Sequence, residues 1–92
     1  MSTRRYVIRN SADFARTVAD ARVMRGLTQH ELAAATGLDR TYLAKLEAGA
    51  VVQQIERSLL LLRRLGVTLT AEMDVDATKV DPGAVDSENN GQ

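Results

Sequence analysis

The chain has 92 residues, enough for one domain with a modest hydrophobic core. It contains no cysteine and a single histidine, which excludes disulfides, thiolate chemistry and nearly every kind of zinc site. The net charge is zero, but residues 1–66 hold 11 basic against 6 acidic residues and residues 67–92 hold 1 against 6. A basic body of this kind favours nucleic acid as a partner.

The N-terminal residues 1–10 are predicted to form a basic arm, in which Tyr6–Ile8 is either a short strand or an anchor on the first helix. The longest apolar run, Leu59 to Leu62, has four residues, whereas a membrane helix needs about 20. We therefore expect a cytoplasmic protein that has no membrane partner.

The first helix is predicted to start at Ser11, a good N-cap, and to run to about Arg25, with Gly26 as its stop. Phe14 and Val18 lie on its apolar side. We expect them in the core, beside Leu32, Leu43 and Leu46.

Two short helices follow between Thr28 and Gly49. Thr28 and Glu31 have the spacing of a capping box, in which each side chain bonds the other residue's backbone N–H. Gly37 is the residue best able to adopt the left-handed conformation that ends the first helix, and Asp39 can cap the second. Helices this short need a scaffold, because isolated helices under about 12 residues are marginal.

The second of these helices is amphipathic, with Leu43 and Leu46 on its inner side. Its outer side carries Arg40, Thr41, Ala44 and Lys45. Together with small Ala33 and the turn glycine, this spacing is that of a helix-turn-helix.

The segment GLTQHELAAATGLDRTYLAKLEAG resembles the helix-turn-helix of the Cro/C1 (XRE) family of phage and bacterial repressors. The resemblance runs roughly from Phe14 to Leu65, and its most specific parts are Gly26-Leu27-Thr28-Gln29, Leu32-Ala33, Gly37, Leu43 and Leu46-Glu47-x-Gly49. It implies an all-α, lambda-repressor-like bundle of four to five helices, with the helix-turn-helix domain over residues 11–66. In this family the arginine matching Arg22 often pairs with the glutamate matching Glu47, although here they could equally be unrelated surface charges.

The resemblance also implies duplex DNA binding, with the second helix of the motif in the major groove. The base-reading candidates are Arg40, Thr41, Ala44 and Lys45. Arg40 is the first candidate, because a guanidinium can bond two acceptors of a guanine together. The phosphate-binding candidates are Thr28, Gln29, His30 and Tyr42. If Gln29 contacts a phosphate, removing that contact should weaken binding to every DNA sequence alike.

Ordinary roles remain open for some of these residues. Outside such a motif we would interpret Arg40 and Lys45 as ordinary solvated charges. His30 is also consistent with an exposed helix residue that has no binding role. No nucleophile has a base beside it and no glycine loop for phosphate is present, so no enzyme, cofactor or metal is expected.

A fourth helix is predicted to reach Leu65, with Ile55, Leu59, Leu62 and Leu65 as its inner side. Because it is apolar on more than one side, we expect a second copy of the chain to cover it, although a leucine on the surface is also common. After Gly66, residues 67–75 alternate between apolar and polar, which predicts a strand.

This predicted strand needs a partner strand. One candidate is the strand of a second subunit, which would make residues 67–76 a dimerisation segment, and the rival is Tyr6–Ile8. The predicted dimerisation residues are Leu59, Leu62, Val67, Leu69, Ala71 and Met73. Residues 77–92 are polar and acidic and are predicted to be a disordered tail.

The chain as a whole is similar to HipB-type antitoxins, small repressors that also bind a HipA-type kinase toxin and add a strand from each subunit to a sheet over the dimer. The resemblance implies a homodimer that binds an inverted repeat in its own promoter and neutralises such a toxin. The chain lacks the tryptophan found in the C-terminal tail of the best-known form. Two other functions stay open: a stand-alone repressor without a toxin, and a protein-binding module without DNA affinity.

Overall fold

The computed structural model describes residues 2–75. Its elements are, in chain order, β1 (Thr3–Val7), α1 (Ser11–Met24), α2 (Gln29–Thr36), α3 (Arg40–Glu47), α4 (Gln53–Arg64) and β2 (Thr70–Asp74). The predicted helical bundle is confirmed, and a sheet of two strands is added to it. None of the described helices is long and apolar enough to cross a membrane. The predicted disordered tail, residues 77–92, lies outside the described residues.

The N-cap of helix α1 lies one residue earlier than predicted. Asn10 is the N-cap, and its side chain accepts a hydrogen bond of 2.9 Å from the backbone N–H of Asp13. Ser11 is instead the first helical residue; it is 1% exposed, and its backbone N–H donates to the carboxylate of Glu56 on α4. Ser11 is therefore fixed by packing against α4 rather than by capping its own helix.

The local signals in the helix-turn-helix are confirmed. Thr28 Oγ1 accepts from the N–H of Glu31 at 3.0 Å, and the carboxylate of Glu31 accepts from the N–H of Thr28 at 2.9 Å. Gly37 ends α2 with a φ of 73°, in the left-handed region that favours glycine. An added Cβ at Gly37 would meet nothing within 4 Å, so the glycine serves the turn's conformation rather than a close approach.

The core lies where α2 and α3 cross. Ala33 on α2 and Leu43 and Leu46 on α3 form its buried centre, and half-buried apolar side chains surround them. These surrounding residues are Phe14, Val18, Leu32, Val52 and Ile55. The predicted core positions of Phe14 and Val18 are confirmed, and the small side chain of Ala33 lets the two helices approach closely.

Strands β1 and β2 are antiparallel neighbours, with Arg5 opposite Glu72 and Tyr6 opposite Ala71. Of the two partners left open for the C-terminal strand, the structure shows the one within the chain, the segment that contains Tyr6. Pairing with the strand of a second subunit stays a prediction. The segment after α4 turns back toward α1, and the N–H of Ile8 donates to the carbonyl of Leu69 at 2.9 Å. Residues 3–7, predicted as part of a basic arm, are thus held in a sheet.

The residues predicted for dimerisation differ in their exposure. Leu59 and Met73 are buried within the chain, Leu62 and Ala71 are half-buried, and Val67 and Leu69 are exposed. The outer surface of α4 instead exposes Leu61 and Leu65, which are 65% and 74% accessible. The predicted inner position of Leu65 is therefore wrong, because the helix turns its last residues away from the core.

Candidate nucleic-acid interface

Helix α3 separates its apolar from its polar side chains. Leu43 and Leu46 are 2% and 6% exposed. The predicted base-reading residues lie on the other side, where Arg40, Thr41 and Lys45 are exposed and Ala44 is half-buried. The structure therefore places all four candidates on one helix, with three of them facing outward.

Two hydrogen bonds fix the start of α3. The N–H of Leu38 donates to the carbonyl of Ala33 at 3.2 Å, which closes the turn around Gly37. The carboxylate of Asp39 accepts from the N–H of Thr41 at 2.8 Å and so caps the helix. Asp39 satisfies an N–H of its own helix, and Arg40 follows it as the first helical residue.

A shallow depression joins the starts of α2 and α3 on the surface. It measures about 350 Å³, and its lining residues are His30, Ala33, Ala34, Gly37, Leu38 and Arg40. His30 from the first turn of α2 and Arg40 from the first turn of α3 therefore border the same surface. One phosphate candidate and the foremost base-reading candidate are thus neighbours in space.

The phosphate candidates cluster at the start of α2, apart from Tyr42, which lies on α3 and is 42% exposed. The Thr28 hydroxyl caps the helix through Glu31, while the N–H groups of Gln29 and His30 occupy positions that have no acceptor within a helix. Such N–H groups, at the positive end of the helix dipole, form a suitable surface for a phosphate. The amide of Gln29, by contrast, points to Glu47, and its Nε2 lies 3.1 Å from Oε1.

A partly buried ion pair lies behind this surface. Nε of Arg22 donates to Oε2 of Glu47 at 2.8 Å, and Nη2 donates to Oε1 at 2.9 Å. The third guanidinium nitrogen, Nη1, donates to the carbonyl of Leu27 in the loop before α2 at 2.7 Å. The pairing that the resemblance implied is confirmed, and the alternative of two unrelated surface charges is wrong.

The ion pair shifts the pKa of both groups. Burial alone would raise the pKa of Glu47, but the hydrogen bonds from Arg22 and Gln29 and the charge of Arg22 outweigh it and lower that pKa. The hydrogen bond to Glu47 is the largest cause that raises the pKa of Arg22. The pair is therefore fully ionised at neutral pH.

Two contacts of this network could not be found from the sequence. The bond from Gln29 to Glu47 joins residues 18 positions apart, and the bond from Arg22 to the Leu27 carbonyl depends on the path of a loop. Neither has a spacing signal, because the first follows from the angle at which α2 and α3 cross and the second from the path of the loop between α1 and α2.

Comparison with known proteins gives one positive result. Searches of curated proteins and of solved structures gave no significant match. A family profile described as "Helix-turn-helix" matches residues 18–71, which is more than half of the chain and includes α2, α3 and α4. The chain therefore belongs to the helix-turn-helix family of Cro/C1 (XRE) type, and this membership indicates a DNA-binding transcription regulator.

Proposed function

We propose that the protein is a homodimeric transcriptional repressor that binds an inverted-repeat operator in its own promoter. The observation that carries this proposal is the outward position of Arg40, Thr41 and Lys45 on a helix whose leucines are buried. A helix of this kind fits the major groove, where side chains near its start reach base edges. We expect no enzymatic activity. We also expect the protein to act on DNA in the cytoplasm.

The phosphate contacts in this proposal come from the start of α2. His30 lines the same depression as Arg40. The N–H groups of Gln29 and His30 and the exposed side chain of Thr28 lie at the start of the same helix as His30. Phosphate contacts there would fix the position of α3 on the duplex without reading sequence, and base contacts by α3 would supply the selectivity.

A dimer is proposed because one short recognition helix reads only a few base pairs. Two half-sites about one helical turn apart give useful selectivity. The exposed Leu61 and Leu65 are four residues apart, so they share one side of α4, and exposed Val67 follows them. Because one edge of β2 is already paired with β1 within the chain, we place the contact between subunits on this side of α4 rather than on the strand.

Fluorescence anisotropy with the DNA upstream of the gene tests the repressor proposal. We expect binding that weakens steeply as salt rises, since phosphate contacts release counterions. We also expect tighter binding to the promoter than to a scrambled duplex of the same length and composition. Binding without salt dependence, or equal binding to both duplexes, would contradict the proposal and favour a protein-binding module.

We further propose that the repressor is the antitoxin of a HipA-type kinase. Support comes from the resemblance to HipB-type antitoxins and from the acidic residues that follow β2 in the sequence. The test is co-expression of the tagged chain with a kinase encoded by the adjacent gene, followed by co-purification and a kinase assay. Failure to co-purify, or a neighbourhood without a kinase gene, would support the stand-alone repressor instead.

A further inference from the structure

The side chain of Gln29 is directed into the helix-turn-helix rather than away from it. Its Nε2 donates to Oε1 of Glu47 at 3.1 Å, and the same oxygen accepts from Arg22 Nη2 at 2.9 Å. Gln29 is the first residue of α2 and Glu47 is the last residue of α3. This bond therefore joins the first residue of the motif to its last, at the end opposite the turn.

We propose that Gln29 is a positioning residue, whose amide fixes the angle between α2 and α3 through Glu47 and so places α3 on DNA. This inference rests on the proposed function, because its consequence is operator binding. It assigns any phosphate contact at this position to the backbone N–H groups of Gln29 and His30, rather than to the Gln29 side chain.

The geometry of the motif supports this role. The turn at Gly37 connects the end of α2 to the start of α3, and the buried Ala33 and Leu43 pack the two helices together. The bond between Gln29 and Glu47 adds a second connection at the opposite end. This bond restricts, at the end far from the turn, the angle that the packing of the leucines allows.

Glu47 is a suitable anchor because it is itself fixed. Its side chain is 6% exposed and is held by two hydrogen bonds from Arg22, which is anchored in turn to the Leu27 carbonyl. A buried carboxylate needs donors for its lone pairs, and Gln29 supplies one of them. The loss of this donor should therefore change the pKa of Glu47 even in the absence of DNA.

The first experiment measures this effect in the free protein. NMR titration of the Glu47 carboxylate should show a higher pKa in Gln29→Met than in the unaltered protein, because a hydrogen bond to the ionised form is lost. The matched control is Gln53→Met, which changes an exposed glutamine at the first position of α4. An unchanged pKa of Glu47 in Gln29→Met would overturn the proposal.

The second experiment separates positioning from a direct phosphate contact. A misplaced α3 loses base contacts, so Gln29→Met should weaken operator binding about tenfold, the size expected for one hydrogen bond to a charged group. Binding to scrambled DNA should change by less than about twofold, because phosphate contacts do not read sequence. Circular dichroism confirms that the variant is folded at the assay temperature.

The outcomes are distinguishable from a failure of the proposed function. Equal weakening on operator and scrambled DNA would overturn the positioning role and assign the amide to a phosphate. If the unaltered protein binds no operator, the repressor proposal fails and this role fails with it. If operator binding is present but the Glu47 pKa is unchanged in Gln29→Met, only the positioning role fails.

Discussion

The side chains of Arg22 and Glu47 form a two-point ion pair between α1 and α3, with N–O distances of 2.8 and 2.9 Å. The two side chains are 16% and 6% exposed. Helix α3 is thus attached to α1 by charge as well as by its leucines.

Glu47→Ala should lower the free energy of unfolding by about 3 kcal/mol or more, because it leaves the guanidinium of Arg22 in a poorly solvated site without its anion. Urea denaturation measures the change. The control is Glu72→Ala, which removes the carboxylate of the Arg5–Glu72 pair on the sheet, where the side chains are 75% and 54% exposed. This control should cost less than about 1 kcal/mol, and equal losses would contradict a special role for the buried pair.

Acid should destabilise the protein partly through Glu47. Its pKa is lower in the folded chain than its ordinary value of 4.5, so ionised Glu47 adds stability above that pH. This contribution is lost as the pH falls through the lower, folded value. Glu47→Gln should therefore show a shallower fall in unfolding free energy with decreasing pH.

Glu56 should contribute to the acid response in the same direction. The hydrogen bond from the backbone N–H of Ser11 lowers the pKa of Glu56. Glu56→Gln should therefore also make the fall in unfolding free energy with decreasing pH shallower. Unfolding free energies from urea titrations at several acidic pH values measure both effects. If both variants keep the pH dependence of the unaltered protein, other carboxylates control acid unfolding.

Arg40→Ala should relax the sequence preference of DNA binding. Loss of a bidentate contact to guanine should cost about 1–3 kcal/mol on the preferred site and much less on a site with another base at that position. Arg16→Ala is the control, since it removes the same charge from an exposed position on α1. Binding to a panel of single-base operator variants tests this, and an unchanged preference in Arg40→Ala would refute the assignment.

The exposed side of α4 should control dimerisation. Leu61→Ser and Leu65→Ser should each raise the dimer dissociation constant at least about tenfold, since burying one leucine contributes about 1.5–3 kcal/mol. Val23→Ser is the matched control, because Val23 on α1 is similarly exposed, at 63%. Sedimentation equilibrium gives the constants. If all three variants behave alike, the contact between subunits lies elsewhere.

A cross-link can verify the partner of β2. Arg5 and Glu72 are directly opposite in the antiparallel register, and the chain has no native cysteine. Opposed positions in such a pair are close enough for a disulfide after a small adjustment. Combined Arg5→Cys and Glu72→Cys should therefore form a bond within one chain, which runs as a monomer on a non-reducing gel. A covalent dimer would instead show that the strands pair across subunits.

The features that could be predicted from the sequence are local ones. The capping box of Thr28 and Glu31 and the left-handed Gly37 depend on residues a few positions apart, so the sequence carries their signal directly. At the start of α1 two good caps stand side by side. The choice of Asn10 over Ser11 depends on the burial of Ser11 against Glu56, 45 residues away.

Features that depend on the return path of the chain could not be predicted in this way. The alternation after Gly66 indicates a strand but does not identify its partner, because the pairing is decided by where the loop after α4 brings it. In the candidate site, the outward residues of α3 follow from helical periodicity. The bond from Gln29 to Glu47 follows only from how α2 and α3 cross.

The pairing of β1 with β2 also favours one order of assembly during synthesis. Arg5 and Glu72 are 67 positions apart, so β1 emerges from the ribosome long before its partner strand exists. The helices between them are built from shorter-range contacts and can pack first, since local contacts form faster than distant ones. We therefore expect the sheet to close last, after the helices between the two strands have packed.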